Sequence, residues 1–256
     1  MIRVGVIGAT GRVGAEVCRG VHADAGMELV AGISRSKSGE KAADALGLEG
    51  SSIVLAEDLD SFVEAGVEVA VDFTSGRYAP EHVDWSIEHG THIVVGTTGF
   101  DVNEAWRGAP VGVVVASNFA IGAALMQRFA VEAARHLPAV EIVELHHDGK
   151  ADAPSGTASA TAREIARARD DVFSGPADET VPGVRGGSVA DVRIHSVRLP
   201  GLVAHQEVIF GGQGQTLTIR HDSIDRTSFV PGVLMAIRWI PSHPGLTVGL
   251  DAILQG

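Results

Sequence analysis

Met1-Ile-Arg-Val-Gly-Val-Ile-Gly8-Ala-Thr-Gly-Arg-Val-Gly14 is the stretch whose reading decides the fold. Its first seven residues form a short apolar run of the kind found in strands buried on both faces of a parallel sheet. Glycines follow at Gly8, Gly11 and Gly14, and then Ala15, Val17, Cys18 and Val21 recur at helical spacing. Strand, glycine turn and helix in that order form a dinucleotide-binding fingerprint, which isolated glycines would not. Gly8 allows the tight turn, Gly11 lets backbone N–H groups approach a pyrophosphate, and Gly14 lets the helix lie close on the strand. Thr10 stands where the commonest form of the fingerprint has its second glycine.

Moving outward, Met27–Ile33 reads as the second strand and ends in Ser34-Arg-Ser-Lys37. A site that prefers NAD usually places Asp or Glu here against the ribose 2′-hydroxyl, whereas Arg accommodates a 2′-phosphate. Ser34 removes the like-charge repulsion, and Arg35 and Lys37 offer cations. A charged hydrogen bond contributes about 1.5–3 kcal/mol, so NADPH is the expected cofactor, with NADH also usable. Ser38–Gly50 reads as a polar loop carrying a short helix, Ile53–Leu55 as a short strand and Asp58–Ala65 as a helix. Val67–Phe73, His92–Val95 and Gly112–Ala116 read as strands, with Pro80–His89 an amphipathic helix. Strands alternating with helices predict a doubly wound parallel sheet. Its ligand is expected beyond the carboxyl ends of the strands. The polar turns Gly8–Gly14, Ser34–Arg35, Phe73–Ser75, Gly96–Thr98 and Ser117–Phe119 all fall at such ends.

Gly122–Leu137 reads as a helix with a core stripe of Leu125, Met126, Phe129, Ala130 and Ala133. From Val140 the pattern changes. A strand reaches His146, a helix runs from about Ser155 to Arg169, and Asp170–Gly187 is a polar loop. Val189–Leu199, Val203–Phe210 and Gln215–His221 are strand-like, and Pro200-Gly201 and Gly211-Gly-Gln-Gly214 signal antiparallel hairpins. A last helix spans Phe229–Ile240, and Leu246–Leu254 is expected to pack back on the first domain. The expected class is α/β: an N-terminal Rossmann-like doubly wound parallel sheet plus a smaller α+β domain with a mixed sheet.

A chain of 256 residues with 45% hydrophobic and 20% charged content is that of a globular protein. Its net charge of -12 argues against general nucleic-acid binding, which phosphate neutralisation drives. No apolar run approaches the roughly 18–20 residues of a membrane span, and the chain opens as a strand rather than a signal peptide. A cytoplasmic location is expected. The single cysteine, Cys18, excludes an internal disulfide and reads as a small core residue. An anionic ligand would require a locally positive site within this acidic chain.

Chemistry concentrates in Glu144-Leu-His-His-Asp-Gly-Lys-Ala-Asp-Ala-Pro-Ser-Gly-Thr157. His146 or His147 can act as general acid or base near neutral pH. Lys150 can offset substrate charge or donate a proton. Ser155, Gly156 and Thr157 open a helix whose N–H groups and hydroxyls can bind a carboxylate. With a nicotinamide cofactor, this predicts reduction of a small carboxylate-bearing electrophile. Adjacent histidines on a strand point to opposite faces, so no metal is expected. A Tyr-x-x-x-Lys pair is absent after the only tyrosine, Tyr78, which excludes short-chain dehydrogenase chemistry. An NADP-sensing regulator would share the glycine turn but would not require the His-His-x-x-Lys cluster.

The same stretch closely resembles the signature of the dihydrodipicolinate reductase family, also called 4-hydroxy-tetrahydrodipicolinate reductases, which reads E-[LIA]-H-H-x-x-K-x-D-A-P-S-G-T-A. The resemblance extends to Gly8–Gly14, Val71-Asp-Phe-Thr74, Val95-Gly-Thr-Thr-Gly-Phe100, Asn118-Phe119 and the order of the domains. It implies a step of diaminopimelate and lysine biosynthesis in which NAD(P)H delivers hydride to a cyclic unsaturated dicarboxylate. By motif position, His146 resembles the catalytic proton donor or acceptor and Lys150 a second proton donor. His147, Gly156 and Thr157 resemble substrate-binding positions, with Ser155 and Thr98 nearby. Gly8, Ala9, Thr10, Gly11, Arg12 and Val13 resemble cofactor-binding positions, as do Gly96, Thr97 and Thr98 and Ser117, Asn118, Phe119 and Ala120. Ser34 and Arg35 resemble the ribose or 2′-phosphate site, although many members carry an acidic residue where Ser34 stands. The resemblance also implies a dinucleotide-binding domain of residues 1–119 and 227–256, a substrate and oligomerisation domain of residues 120–226, and a homotetramer.

Overall fold

A computed structural model describes residues 1–169, 173, 175 and 178–255. The polar loop read over 170–187 thus lies partly outside the described residues. The chain forms two compact units, Met1–Ile121 with Arg226–Gly256, and Gly122–Asp225.

In the first unit the strands are β1 (Ile2–Ile7), β2 (Met27–Ile33), β3 (Val69–Asp72), β4 (His92–Val95), β5 (Gly112–Val115) and β11 (Gly245–Val248). All pair in parallel, in the order β2-β1-β3-β4-β5-β11. The helices are α1 (Gly14–Ala23), α2 (Ala42–Leu46), α3 (Asp60–Glu64), α4 (Ala79–Glu88), α7 (Val230–Trp239) and α8 (Asp251–Leu254). Val4, Val6, Val69, Val71, Ile93, Val94, Val113 and Val114 have no solvent exposure. That is why these strands read as continuous apolar runs rather than alternating ones. The α/β class and the Rossmann-like parallel sheet expected from the sequence are those of the structure. The order of strands reverses between β1 and β3, and a crevice at the carboxyl ends follows from that switch point.

One detail of this unit differs from the sequence reading. Ile53–Leu55 is not a strand. Only isolated bridges join Val54 to Lys41 and Ala56 to Ile33. The tail Leu246–Leu254 belongs to the first unit, as expected, where it contributes most of edge strand β11, in register with β5, and then α8.

The second unit holds α5, which begins at the boundary (Ile121–Ala134), then β6 (Ala139–His146), α6 (Gly156–Ala168), β7 (Gly187–Val189), β8 (Val192–Arg198), β9 (Ala204–Gly212) and β10 (Gln215–Ser223). Its mixed sheet runs β10-β9-β6-β8-β7. Residues of α5 and α6 form one core with Val140, Ile142, Val192, Ile194, Val208 and Phe210.

The run Val189–Leu199 is broken. Ala190 and Asp191 take positive φ of 49° and 62°, a tight two-residue turn joining β7 to β8. Pro200-Gly201 makes no hairpin either, since β6 lies between β8 and β9. A turn signal marks where a chain reverses, not which strand it finds. Here the N–H of Leu199 donates to the carbonyl of His146 at 3.1 Å, carrying the chain past the end of β6. Phe129 is 55% exposed, whereas Ala123, Met126, Ala130 and Ala134 are buried, so the core stripe of α5 is rotated by one residue from the expected one.

The glycine turn is a place of close backbone approach in the first unit. A Cβ on Gly14 would lie 2.1 Å from the Gly8 carbonyl oxygen. Gly14→Ala is therefore expected to cost about 1–3 kcal/mol of stability through overpacking. Thermal unfolding of the variant would show this, and an unchanged Tm would contradict the close approach.

Candidate active site

β1 carries Gly8 to the carboxyl edge of the first sheet, where it takes φ +79°. The N–H groups of Gly8 and Ala9 donate to the Ile33 carbonyl at 3.0 and 2.9 Å, tying the turn to the end of β2. Val13 gives α1 no side-chain cap; the N–H groups of Ala15 and Val17 already donate to the Gly11 and Val13 carbonyls at 3.0 Å each, and the positive end of the helix still favours an anion at the turn. Gly11 and Arg12 are exposed, while the Ala9 side chain is buried. A cleft of about 470 Å³ opens here, with Gly8, Thr10, Ser34, Arg35, Thr74 and Tyr78 among its lining residues. The buried Ser34 hydroxyl lies 2.6 Å from Thr10 Oγ1. The guanidinium carbons of Arg35 and Arg77 lie 4.8 and 5.4 Å from the Tyr78 ring centroid. A hydrogen bond with Arg35, and then the charges of Arg77 and Arg35, hold the Tyr78 hydroxyl below its usual pKa. Arg35 thus brings a cation to the cleft wall, where Glu57 also lines it. Lys37, by contrast, pairs with Glu40 at 3.6 Å.

Asp72 ends β3 with no solvent exposure. Its carboxylate accepts from Thr97 Oγ1 at 2.5 Å, from Thr74 N and Oγ1 at 2.8 Å each, and from the His82 ring. Thr97 Oγ1 also accepts from Thr74 N at 2.7 Å. One side chain thus ties the turn after β3 to the turn after β4. Burial alone would push the Asp72 carboxyl up, but hydrogen bonds from His82 and Thr97 outweigh it and hold it below the usual range. Gly96 is required by packing, because a Cβ there would lie 2.1 Å from the Phe73 ring. Thr98 and Ser117 are exposed, and Asn118 accepts from Ala120 N at 2.8 Å. Phe119 and Ala120 are each 1% exposed.

In the second unit, β6 ends at His146, in register with Arg198 on β8 and Ala204 on β9. His146 Nδ1 donates to Glu144 Oε2 at 2.5 Å. Arg198 Nη1 donates to Glu144 Oε2 at 3.0 Å and Nη2 to Oε1 at 2.8 Å, while Nη2 also donates to the Asp152 carbonyl at 2.7 Å. Lys150 Nζ donates to both Asp152 oxygens at 2.7 and 2.9 Å. The bond from Lys150 holds the Asp152 carboxyl below its usual range. A turn from His147 to Lys150, closed by a 3.2 Å backbone bond, leaves His147 half-buried. Ser155 caps α6 by accepting from Ala158 N at 3.1 Å, which commits that donor and leaves those of Gly156 and Thr157 without an intrahelical partner. His146, Lys150, Ser155, Gly156 and Thr157 therefore belong to one corner of this unit, while Thr98 belongs to the first. Among the described residues no group of three or more His, Cys, Asp or Glu could hold a metal ion, and no helix is long and apolar enough to cross a membrane.

A family model described as "Dihydrodipicolinate reductase, N-terminus" matches residues 2–119, and one described as "Dihydrodipicolinate reductase, C-terminus" matches residues 122–254. The chain belongs to the dihydrodipicolinate reductase family. A 4-hydroxy-tetrahydrodipicolinate reductase of Nocardia farcinica is 49% identical over 99% of each chain. Another, of Corynebacterium diphtheriae, is 45% identical over 99% of each. A solved structure, dipicolinate-bound dihydrodipicolinate reductase from Paenisporosarcina sp. TG-14, is 40% identical, covers 99% of both chains and has a TM-score of 0.86. An amine dehydrogenase from Mycobacterium smegmatis shares the fold alone, at 15% identity and a TM-score of 0.62.

For this member of the dihydrodipicolinate reductase family, sequence reasoning passed over the parts played by Glu144 and Asp72 and their partners Arg198 and His82. Period-2 alternation puts Glu144 on the face of His146, and that signal was available. The strand order that brings Arg198 beside them was not. Arg198 is committed to Glu144 and to the Asp152 carbonyl. His195 and His205 pair with Glu141 and Asp222 at 2.8 and 2.6 Å.

Burial would raise the Glu144 carboxyl, but hydrogen bonds from His146, Arg198 and Ser196 reverse this and hold it at about 2, against 4.5 for a free glutamate. A group whose folded pKa is depressed contributes stability above its unfolded pKa and loses it as the pH falls through the folded one. Unfolding free energy should thus fall as the pH drops from about 4.5 towards about 2, and Glu144→Gln should flatten that part of the curve. Denaturant titrations across this window would show it; equal slopes in the two proteins would contradict it.

Proposed function

We propose that the chain catalyses NADPH-dependent reduction of 4-hydroxy-tetrahydrodipicolinate to tetrahydrodipicolinate and water, a step of diaminopimelate and lysine biosynthesis in the cytoplasm. The observation that carries this reading is the corner at the end of β6. There a histidine and a lysine able to supply protons lie beside a capped helix start able to hold a carboxylate, in a chain of a reductase family. The nicotinamide nucleotide supplies hydride when bound.

Holding that nucleotide falls to the first unit: the glycine turn Gly8–Val13 for the pyrophosphate, Ser34 and Arg35 for the ribose and its 2′-phosphate, and Gly96–Thr98 and Ser117–Ala120 beyond the following strands. Proton work falls to the second. His146 donates the proton and Lys150 is the second donor. His147, Gly156, Thr157 and Thr98 hold the dicarboxylate, with Ser155 acting mainly through the cap it forms. A regulator that sensed NADP without turning it over would have no use for this cluster. The family resemblance also points to a homotetramer.

With the coupled product of dihydrodipicolinate synthase as substrate, NADPH oxidation should be substrate-dependent. Tight nucleotide binding without oxidation would overturn the reading. Replacing His146 or Lys150 should lower kcat by about 10²–10⁴, the scale of a positioned proton donor, and leave NADPH binding intact. Paired kinetics should give NADPH a higher kcat/KM than NADH by about one to two decades, the worth of a charged hydrogen bond. Equal values, or higher ones with NADH, would refute the assignment of Ser34 and Arg35.

A further inference from the structure

We infer that Glu144 is a positioning residue for the proton step, one that fixes the His146 imidazole with Nδ1 towards the sheet and leaves Nε2 for the substrate. This rests on the reading of His146 as proton donor.

Glu144 has no solvent exposure on β6, where an apolar side chain of similar size would fill the same space without desolvating a charge. The carboxylate is fully engaged. It accepts from His146 and from both terminal nitrogens of Arg198 on β8. An ionised carboxylate only accepts, so the imidazole nitrogen facing it, Nδ1, carries the proton. The neutral ring then has its lone pair on Nε2. When Nε2 takes up a proton, the adjacent carboxylate stabilises the cation. When Nε2–H gives that proton to substrate, Nδ1–H stays in place and the ring returns to its starting tautomer.

Arg198 extends the arrangement. The guanidinium that neutralises Glu144 also donates to the Asp152 carbonyl, and the Asp152 carboxylate receives Lys150. His146 and Lys150 are thus held by one chain of contacts running through Glu144, Arg198 and Asp152. On the other side, Gln206 of β9 stands opposite Glu144 and is bonded through its amide to Thr161 of α6 at 3.0 Å. It brings no charge to the pair.

Glu144→Gln should lower kcat by about 10²–10⁴, the range of a general acid deprived of its orienting carboxylate, with substrate KM and NADPH affinity near wild type and a Tm lowered by loss of the buried charge pair. Glu144→Asp, which keeps the charge one methylene further away, should fall between. The double variant Glu144→Gln/His146→Gln should be no slower than His146→Gln, because residues acting as one unit are not additive. Full kcat in Glu144→Gln beside a disabled His146→Gln would overturn the positioning role and leave that of His146 standing. Additive losses in the double variant would also overturn it. Full activity in His146→Gln would remove the reading on which it rests. If the Gln variant does not fold, Glu144→Asp carries the test, and an unchanged kcat there decides against the role.

Discussion

A carboxylate with no access to water has to be matched by donors on every side, and Glu144 is the group around which the second unit is arranged. Truncating one partner of such a buried pair is costly, because the other charge is left without solvent. The match depends on strand order. β6 lies at the centre of its sheet with β8 parallel beside it, so His146 and Arg198 end side by side and Glu144 reaches both. The crossing at Pro200-Gly201, the turn at Ala190-Asp191 and the cap of α6 are the local conditions of that arrangement.

The first unit uses the same device at a different place. Asp72, also fully buried at the carboxyl end of a strand, is bound to a histidine and to the hydroxyls of two neighbouring turns. There it joins the turns after β3 and β4, whereas Glu144 joins the ends of β6 and β8. In both cases hydrogen bonds overcome burial and keep the carboxyl ionised, and in both the rigid strand end holds in place a loop that a ligand must meet.

Much of this was legible in the sequence, and for a physical reason. A glycine turn after an apolar run admits few backbone arrangements, since Gly8 needs positive φ and Gly14 has no room for a side chain. Parallel strands buried on both faces announce themselves as runs of Val and Ile. The His-His-x-x-Lys stretch was equally plain, because core packing has no use for it. What stayed hidden depends on pairing at long range. Pro200-Gly201 looks like a hairpin until β6 is found between its arms. Arg198 looks like a spare cation until its register with His146 is known. Phe129 fits a helical stripe, and only the packed sheet shows that the stripe is turned by one residue.

The central claim is that a buried carboxylate sets the tautomer of His146 at the end of β6. Nitrogen NMR of histidine-labelled protein, with the His146 signals assigned by their loss in His146→Gln, reads that state directly. The neutral ring should carry its proton on Nδ1, with an unprotonated Nε2. A neutral ring protonated on Nε2, or an even mixture of the two tautomers, would contradict the account.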